Sequence, residues 1–119
     1  EHLEDNLRAF QSPCPLDDAQ LEAIDRAVAA IRSVERVPCT ACGYCMPCPF
    51  GVDIPGMLKI YNRFLEDRYT FPFKKAYYDA PAEARAENCT ACGACKSACP
   101  QGIAAYEHMA RIAELAKNI

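Results

Sequence analysis

Eight cysteines in two short motifs are the residues of this sequence whose type and spacing could do chemistry. The first motif reads C-T-A-C-G-Y-C-M-P-C-P-F-G over residues 39–51, and the second reads C-T-A-C-G-A-C-K-S-A-C-P-Q-G over residues 89–102. The two motifs are offset by 50 residues at the first three cysteines and by 51 from the fourth cysteine onward. Such an internal duplication indicates two equivalent sites. The candidate ligands are Cys39, Cys42, Cys45 and Cys48 in the first motif and Cys89, Cys92, Cys95 and Cys99 in the second.

The C-x2-C-x2-C spacing curls a short loop so that three thiolates face one centre. Gly43 and Gly93 follow the second cysteine of each motif, where a residue without a side chain lets the backbone turn tightly. A [4Fe–4S] cluster takes four cysteine thiolates, and in the bacterial run C-x2-C-x2-C-x3-C-P the fourth cysteine serves the other cluster. The spacing therefore predicts two [4Fe–4S] clusters whose fourth ligands cross between the motifs.

The crossed assignment gives each cluster three ligands from one motif and one from the other. Cluster one would be held by Cys39, Cys42, Cys45 and Cys99, and cluster two by Cys89, Cys92, Cys95 and Cys48. The second motif fits the bacterial run residue for residue, but the first is one residue short between its third and fourth cysteines. Cys48 could therefore close the cluster of its own motif instead of crossing to the other.

Two other uses of cysteine compete with iron–sulfur clusters. Two pairs of cysteines at C-x2-C spacing suit a tetrahedral zinc, although zinc loops normally contribute two cysteines rather than three followed by C-P. A disulfide framework is disfavoured because the count of nine cysteines is odd and because tight clusters close only short loops. The ninth cysteine, Cys14, lies outside both motifs and is expected to be a free or a buried thiol.

Composition excludes several classes of function. The formal net charge of −3 over 119 residues gives no basic excess for nucleic-acid binding. No apolar run approaches the roughly 18 to 20 residues of a membrane span, and no segment resembles a secretory signal. Clustered thiolates favour a reducing compartment, so we expect a cytoplasmic protein. Because the first residue is Glu1, we also expect a piece of a longer polypeptide or a processed chain.

The segments around the motifs have helical periodicity. We expect helices over residues 3–10, 16–33, 74–80 and 103–117, and one that Asp53 caps and that contains Pro55 in its first turn. Asp17 should cap the second helix and form a capping box with Gln20. Breaks are expected at Pro13 and Pro15 and over residues 69–73, and a turn is expected from Pro81 into Cys89. The helix over residues 103–117 should place Ile103, Tyr106, Ala110, Ala113 and Ala116 near one face. No segment has the alternating pattern of a strand. The sequence therefore predicts an all-α fold around a metal core.

A family resemblance becomes specific at this point. The stretch C-T-A-C-G-Y-C-M-P-C-P-F-G-V-D-I-P-G, followed by Y-N at residues 61–62, resembles the iron–sulfur tail of the aldo/keto reductase–ferredoxin fusion proteins. The shortened first motif is similar to the pattern of that family. The segment H-L-E-D-N-L-R-A-F with P-L-D-D-A-Q-L further on also looks like the last barrel elements and the linker of such a reductase.

The resemblance implies an α-helical ferredoxin-like domain over residues 36–119, preceded over residues 1–35 by a helical linker from a TIM-barrel reductase. The attached barrel, or a redox protein, would be the partner of the clusters. The parent would be an oxidoreductase, whereas this chain alone would catalyse no reaction and bind no nicotinamide. The expected function is electron transfer; the alternatives are an iron–sulfur staple without redox turnover and a zinc-stapled docking module.

Overall fold

The computed structural model describes residues 2–11 and 14–119. The chain divides into two compact units, Glu1–Ser33 and Val34–Ile119. The described residues contain helices and turns but no β-strand, which confirms the all-α class.

The first unit consists of two helices, α1 (His2–Gln11) and α2 (Asp18–Ser33). The predicted capping box at the start of α2 is present, because the Asp17 amide donates to Gln20 Oε1 at 3.0 Å and the Gln20 amide donates to Asp17 Oδ1 at 2.8 Å. Helix α2 therefore starts at Asp18 rather than Leu16. None of the described residues of α1 and α2 is buried. The expected break at Pro13 lies outside the described residues.

Helix α3 (Ile54–Asp67) follows the first cysteine motif and starts as predicted. The carboxylate of Asp53 accepts a hydrogen bond from the Gly56 amide at 3.1 Å, and Pro55 occupies the first turn, where an amide hydrogen has no helical partner. The helix ends at Arg68, whose φ of 58° is left-handed and whose amide donates to Phe64 O. The N-cap therefore ties the exit of the first motif to the start of the helix.

Helix α4 (Thr70–Asp79) corrects the prediction of a break at residues 69–73. The interruption is confined to Arg68 and Tyr69, and the helix includes Pro72 in its first turn. Proline is tolerated there because it removes an N–H that would be unpaired in any case. The expectation of a helix starting only at Lys74 was wrong for this reason.

Two 3₁₀ turns, Ala82–Ala84 and Ala86–Asn88, lead into the second motif. A short helix that the periodicity did not indicate, α5 (Ala94–Ala98), lies inside that motif, and α6 (Ala105–Asn118) follows it. The predicted face of α6 was partly wrong: Ala110 is exposed, and the buried residues of the helix are Ala105, Met109, Ile112 and Ala116.

Helices α3, α4 and α6 pack together around the core of the second unit. Helices α3 and α6 each have 14 residues and follow their motifs at the same distance. Three of the four buried residues of each helix correspond at the 51-residue offset: Ile54 with Ala105, Leu58 with Met109, and Leu65 with Ala116. The fourth in each helix, Met57 or Ile112, matches a half-buried residue of the other. The duplication seen in the cysteines therefore extends through the helix that follows each motif. Six of the eight motif cysteines, all but Cys42 and Cys92, pack against this core.

Candidate metal centre

The two cysteine loops have the same backbone conformation. Ala41 and Ala91 have φ values of 55° and 57°, and Gly43 and Gly93 have φ values of 80° and 79°. Glycine adopts this region without strain, whereas an alanine there is disfavoured by contact of its Cβ with the backbone. Two left-handed residues within three positions thus turn each loop back on itself. The tight turn at the glycines was predicted, whereas neither the periodicity nor the glycine positions indicate the left-handed alanines.

Hydrogen bonds close the two loops in matching ways. Gly43 O accepts from the Met46 amide at 2.9 Å, and Gly93 O accepts from the Lys96 amide at 3.0 Å. After the fourth cysteine, the amides of Gly51 and Gly102 donate to Cys48 O and Cys99 O, both at 3.0 Å. The extra residue of the second motif lies between these two turns, and α5 accommodates it.

The motif cysteines line two cavities. The first cavity has five of them in its wall: Cys39, Cys42, Cys45, Cys95 and Cys99. The second cavity also has five: Cys45, Cys48, Cys89, Cys92 and Cys95. Cys45 and Cys95, the third cysteine of each motif, contribute to both walls. The structure therefore brings Cys99 to the cavity of the first motif and Cys48 to the cavity of the second.

The thiols are crowded in a partly apolar environment. All nine cysteines lie in the described residues, and none of them forms a disulfide there. Burial raises the pKa of the Cys45 thiol above its ordinary value, and the neighbouring charges of Cys39, Cys95 and Cys42 raise it further against the effect of a backbone hydrogen bond. The Ala41 amide donates to Cys39 Sγ at 3.4 Å. Without a cation the pocket thus disfavours several thiolates at once, and bound metal ions would supply the missing positive charge.

The arrangement fits a multi-iron cluster better than a single ion. A tetrahedral zinc, with Zn–S bonds of about 2.3 Å, draws its thiolates onto one point, whereas a [4Fe–4S] cluster is held by four thiolates spread around a larger group. Within residues 2–11 and 14–119, no three His, Cys, Asp or Glu side chains are placed to hold one metal ion. The thiolates instead surround two cavities, and soft thiolate ligands are the ligand class of iron–sulfur clusters.

Side chains outside the motifs hold the segments that enter them. Asn62 on α3 makes two hydrogen bonds to the backbone of Val37, at 2.7 and 2.8 Å. On the approach to the second motif, Asn88 Nδ2 donates to Ala82 O at 2.7 Å, and Arg85 donates to two carbonyls at the end of α4, Tyr78 O and Ala80 O. No motif in the sequence indicates a role for these residues. An asparagine just before a cysteine is a weak signal by itself.

Other features of the described chain lie away from the cavities. Cys14 is exposed, and its nearest hydrogen-bond partner is Pro15 O at 3.9 Å, so it is a free thiol as expected. Of the described helices, none combines the length and the apolar character that crossing a membrane requires.

The comparisons with known proteins agree with this geometry. The family model for the 4Fe-4S dicluster domain matches residues 38–104, which includes both motifs and the 3₁₀ turns before the second. Neither the curated proteins nor the solved structures contain a match to the chain. The match extends over more than half of the sequence, supports [4Fe–4S] clusters as the cofactor, and places this chain in the family of 4Fe-4S dicluster domains.

Proposed function

We propose that this chain is an electron-transfer module that carries two [4Fe–4S] clusters with crossed ligation. The observation that carries the proposal is the membership of the two cavity walls. Of these two cavities, Cys99 lines only the first, and Cys48 lines only the second. Because each cluster takes four thiolates, the first can be completed by Cys99 and the second by Cys48 without any cysteine serving twice.

The number of thiolates per cluster does not assign Cys45 and Cys95, and their assignment rests on the spacing of the motifs. Cys45 and Cys95 line both cavities, so either could ligate on either side. The C-x2-C-x2-C loop keeps Cys45 with its own motif, and the same holds for Cys95. The proposed ligands of cluster one are therefore Cys39, Cys42, Cys45 and Cys99, and those of cluster two are Cys48, Cys89, Cys92 and Cys95.

Bound iron–sulfur clusters supply one-electron redox chemistry. The protein supplies thiolates, apolar shielding and closely spaced sites. Val52 and Met109, 0% and 1% exposed, line the second cavity, and the buried Ile54 lies in the wall of both. Two walls that share Cys45 and Cys95 hold the sites next to each other, which favours passage of electrons between them.

The parent protein is proposed to be an oxidoreductase of the aldo/keto reductase type. The support is the resemblance of the first motif and of the N-terminal segment to the fusion proteins described above. Under this proposal, residues 1–35 link a TIM-barrel reductase to the two-cluster domain at 36–119, and the barrel or a redox protein exchanges electrons with it. The unpaired, crowded thiols also favour a reducing, cytoplasmic location.

Metal analysis and reversible reduction test the function. We expect anaerobically purified protein to contain about eight iron and eight sulfide per chain and to show a visible band that dithionite bleaches and air restores. Two clusters that are lost on reduction would favour a structural staple instead of electron transfer. A colourless protein with about two zinc would overturn the iron–sulfur proposal altogether.

A further inference from the structure

Two side chains at the C-terminal half of α3 hold the segment that enters the first motif. Arg68, the C-cap of α3, donates to the exposed Glu35 carboxylate at 2.7 Å, and Asn62 bonds to the backbone of the buried Val37. The Val37 amide donates to Asn62 Oδ1 at 2.7 Å, and Asn62 Nδ2 donates to Val37 O at 2.8 Å. The two residues are 25 positions apart in sequence. Asn62 thus pairs with both backbone groups of Val37, as a neighbouring strand would, and fixes this point of the loop to the helix.

The backbone group that Asn62 binds is also hydrogen-bonded to Cys39, a proposed ligand of cluster one. Val37 O also accepts from the Cys39 amide at 2.7 Å, so one carbonyl joins Asn62 to the first cysteine of the motif. Val37 is 3% exposed and belongs to the core. Water therefore has little access to replace the asparagine. Its loss would leave the buried Val37 amide without a partner and Val37 O with the Cys39 amide alone.

We propose that Asn62 is a positioning residue for cluster one, acting through Val37 on Cys39. This inference rests on the proposed function, since it concerns the clusters proposed above. The second motif is held differently: Asn88 bonds to Ala82 O and Arg85 O within its own lead-in, and Cys89 donates to Ala86 O. Loss of Asn62 should therefore release the thiolates of cluster one and leave those of cluster two protected.

Anaerobic thiol alkylation with iodoacetamide, followed by peptide mapping, measures this selectivity. In the wild-type holoprotein we expect rapid labelling of Cys14, which is exposed, and protection of the eight motif cysteines. In Asn62→Leu, which makes neither hydrogen bond, Cys39, Cys42, Cys45 and Cys99 should react roughly 30-fold faster than in the wild type, because two hydrogen bonds shift an opening equilibrium by about that factor. Labelling of Cys48, Cys89, Cys92 and Cys95 should be unchanged.

Two further variants separate positioning from general loss of structure. Asn62→Asp keeps the acceptor for the Val37 amide but loses the donor, so it should give a smaller increase at the same four cysteines. Asn118→Asp makes the same chemical change at an exposed position near the end of α6 and should match the wild type. If Asn62→Leu labels both sets of cysteines equally, or neither set faster than the wild type, the proposal for Asn62 is wrong. Labelling of all motif cysteines in the wild type would instead refute the proposed clusters.

Discussion

Replacement of the fourth cysteine of each motif tests the crossed assignment. We take Cys99→Ala and Cys48→Ala, because alanine offers no donor atom, in a Cys14→Ser background that removes the exposed thiol outside the motifs. Cys99 lines the first cavity and Cys48 the second. Each change should therefore disrupt the cluster built on the other motif.

The expected loss of iron follows from the eight proposed ligands and the two cavities. Each variant should retain about four of about eight iron atoms per chain, because one cluster keeps its full set of four thiolates. In Cys99→Ala the thiols released should be Cys39, Cys42 and Cys45. In Cys48→Ala they should be Cys89, Cys92 and Cys95.

Iron analysis combined with anaerobic alkylation provides the measurement. Peptide mapping tells which three thiols are released, and Cys42 and Cys92 are sensitive reporters because both are exposed. The Cys14→Ser parent is the control and should keep both clusters. If Cys99→Ala releases Cys89, Cys92 and Cys95 instead, each motif closes its own cluster, and the reasoning from the cavity walls fails.

Three further predictions concern the helices that follow the motifs. Ala104 is the N-cap residue of α6 and provides no side-chain hydrogen bond, whereas Asp53 caps α3. Ala104→Asp should therefore raise the free energy of unfolding, measured in denaturant, by about 1 kcal/mol. Ala104→Asn, which caps without charge, should give a similar increase. Gly56→Ala places a Cβ against the Asp53 carboxylate, so the loss of the cap should cancel the gain of about 1 kcal/mol expected for this change inside a helix, and a net gain of that size would contradict the contact. His108 has a pKa lowered by burial and by Arg111, against Glu107, and its Nδ1 has no partner among the described residues. Because its folded pKa lies below the ordinary value of 6.5, its contribution to stability is full above pH 6.5 and is lost as the pH falls toward the folded value. His108→Phe, which keeps a ring against Tyr61, should therefore lose less stability than the wild type between pH 7.5 and 5.5 in anaerobic thermal unfolding.

The sequence predicts the class of this fold because its signals are local. The capping residues Asp17 and Asp53 and the glycines of the loops act on their own turns, and the structure has them where the sequence places them. Pro72 misleads for a related reason: a proline disrupts a helix interior but is accommodated in a first turn, and the sequence alone does not fix where α4 begins.

The parts of the site that were missed depend on contacts between distant segments. Asn62 acts on Val37, 25 residues away, and neither residue has a local pattern that would pair them. The same holds for the buried face of α6: the choice of Met109 and Ile112 over Ala110 and Ala113 depends on which side of the helix meets α3. The assignment of Cys99 to the first motif was predicted because the second motif has the spacing of the bacterial two-cluster run. The structural support for it is that Cys99 lines the same cavity as the first three cysteines of the first motif.

The repeat remains in register beyond the two motifs although the motifs differ in length by one residue. The first motif joins its third and fourth cysteines through Met46 and Pro47, and the second uses three residues in α5. Both segments then make the same turn: the amides of Gly51 and Gly102 each donate to the carbonyl of the fourth cysteine of their own motif. From that turn onward the offset is constant, so three of the four buried positions of α3 have buried counterparts in α6.

The fourth cysteine of each motif contributes to the turn through its backbone and to a cavity wall through its side chain. Its carbonyl starts the turn that sets the register of the following helix, while its thiol lines the cavity of the other motif. A change of one residue between the third and fourth cysteines can be absorbed before the turn, but a change after it would rotate the helix by about 100° and expose its buried face. The spacing from Cys48 to Ile54 and from Cys99 to Ala105 is therefore the more constrained part of the repeat.

Two insertion variants test this constraint. Insertion of one alanine between Met46 and Pro47 gives the first motif the longer spacing of the second and should leave the helix content, measured by circular dichroism, unchanged. Insertion of one alanine between Val52 and Asp53 should reduce both helix content and iron content. Equal losses in the two insertion variants would show that the turn does not set the register.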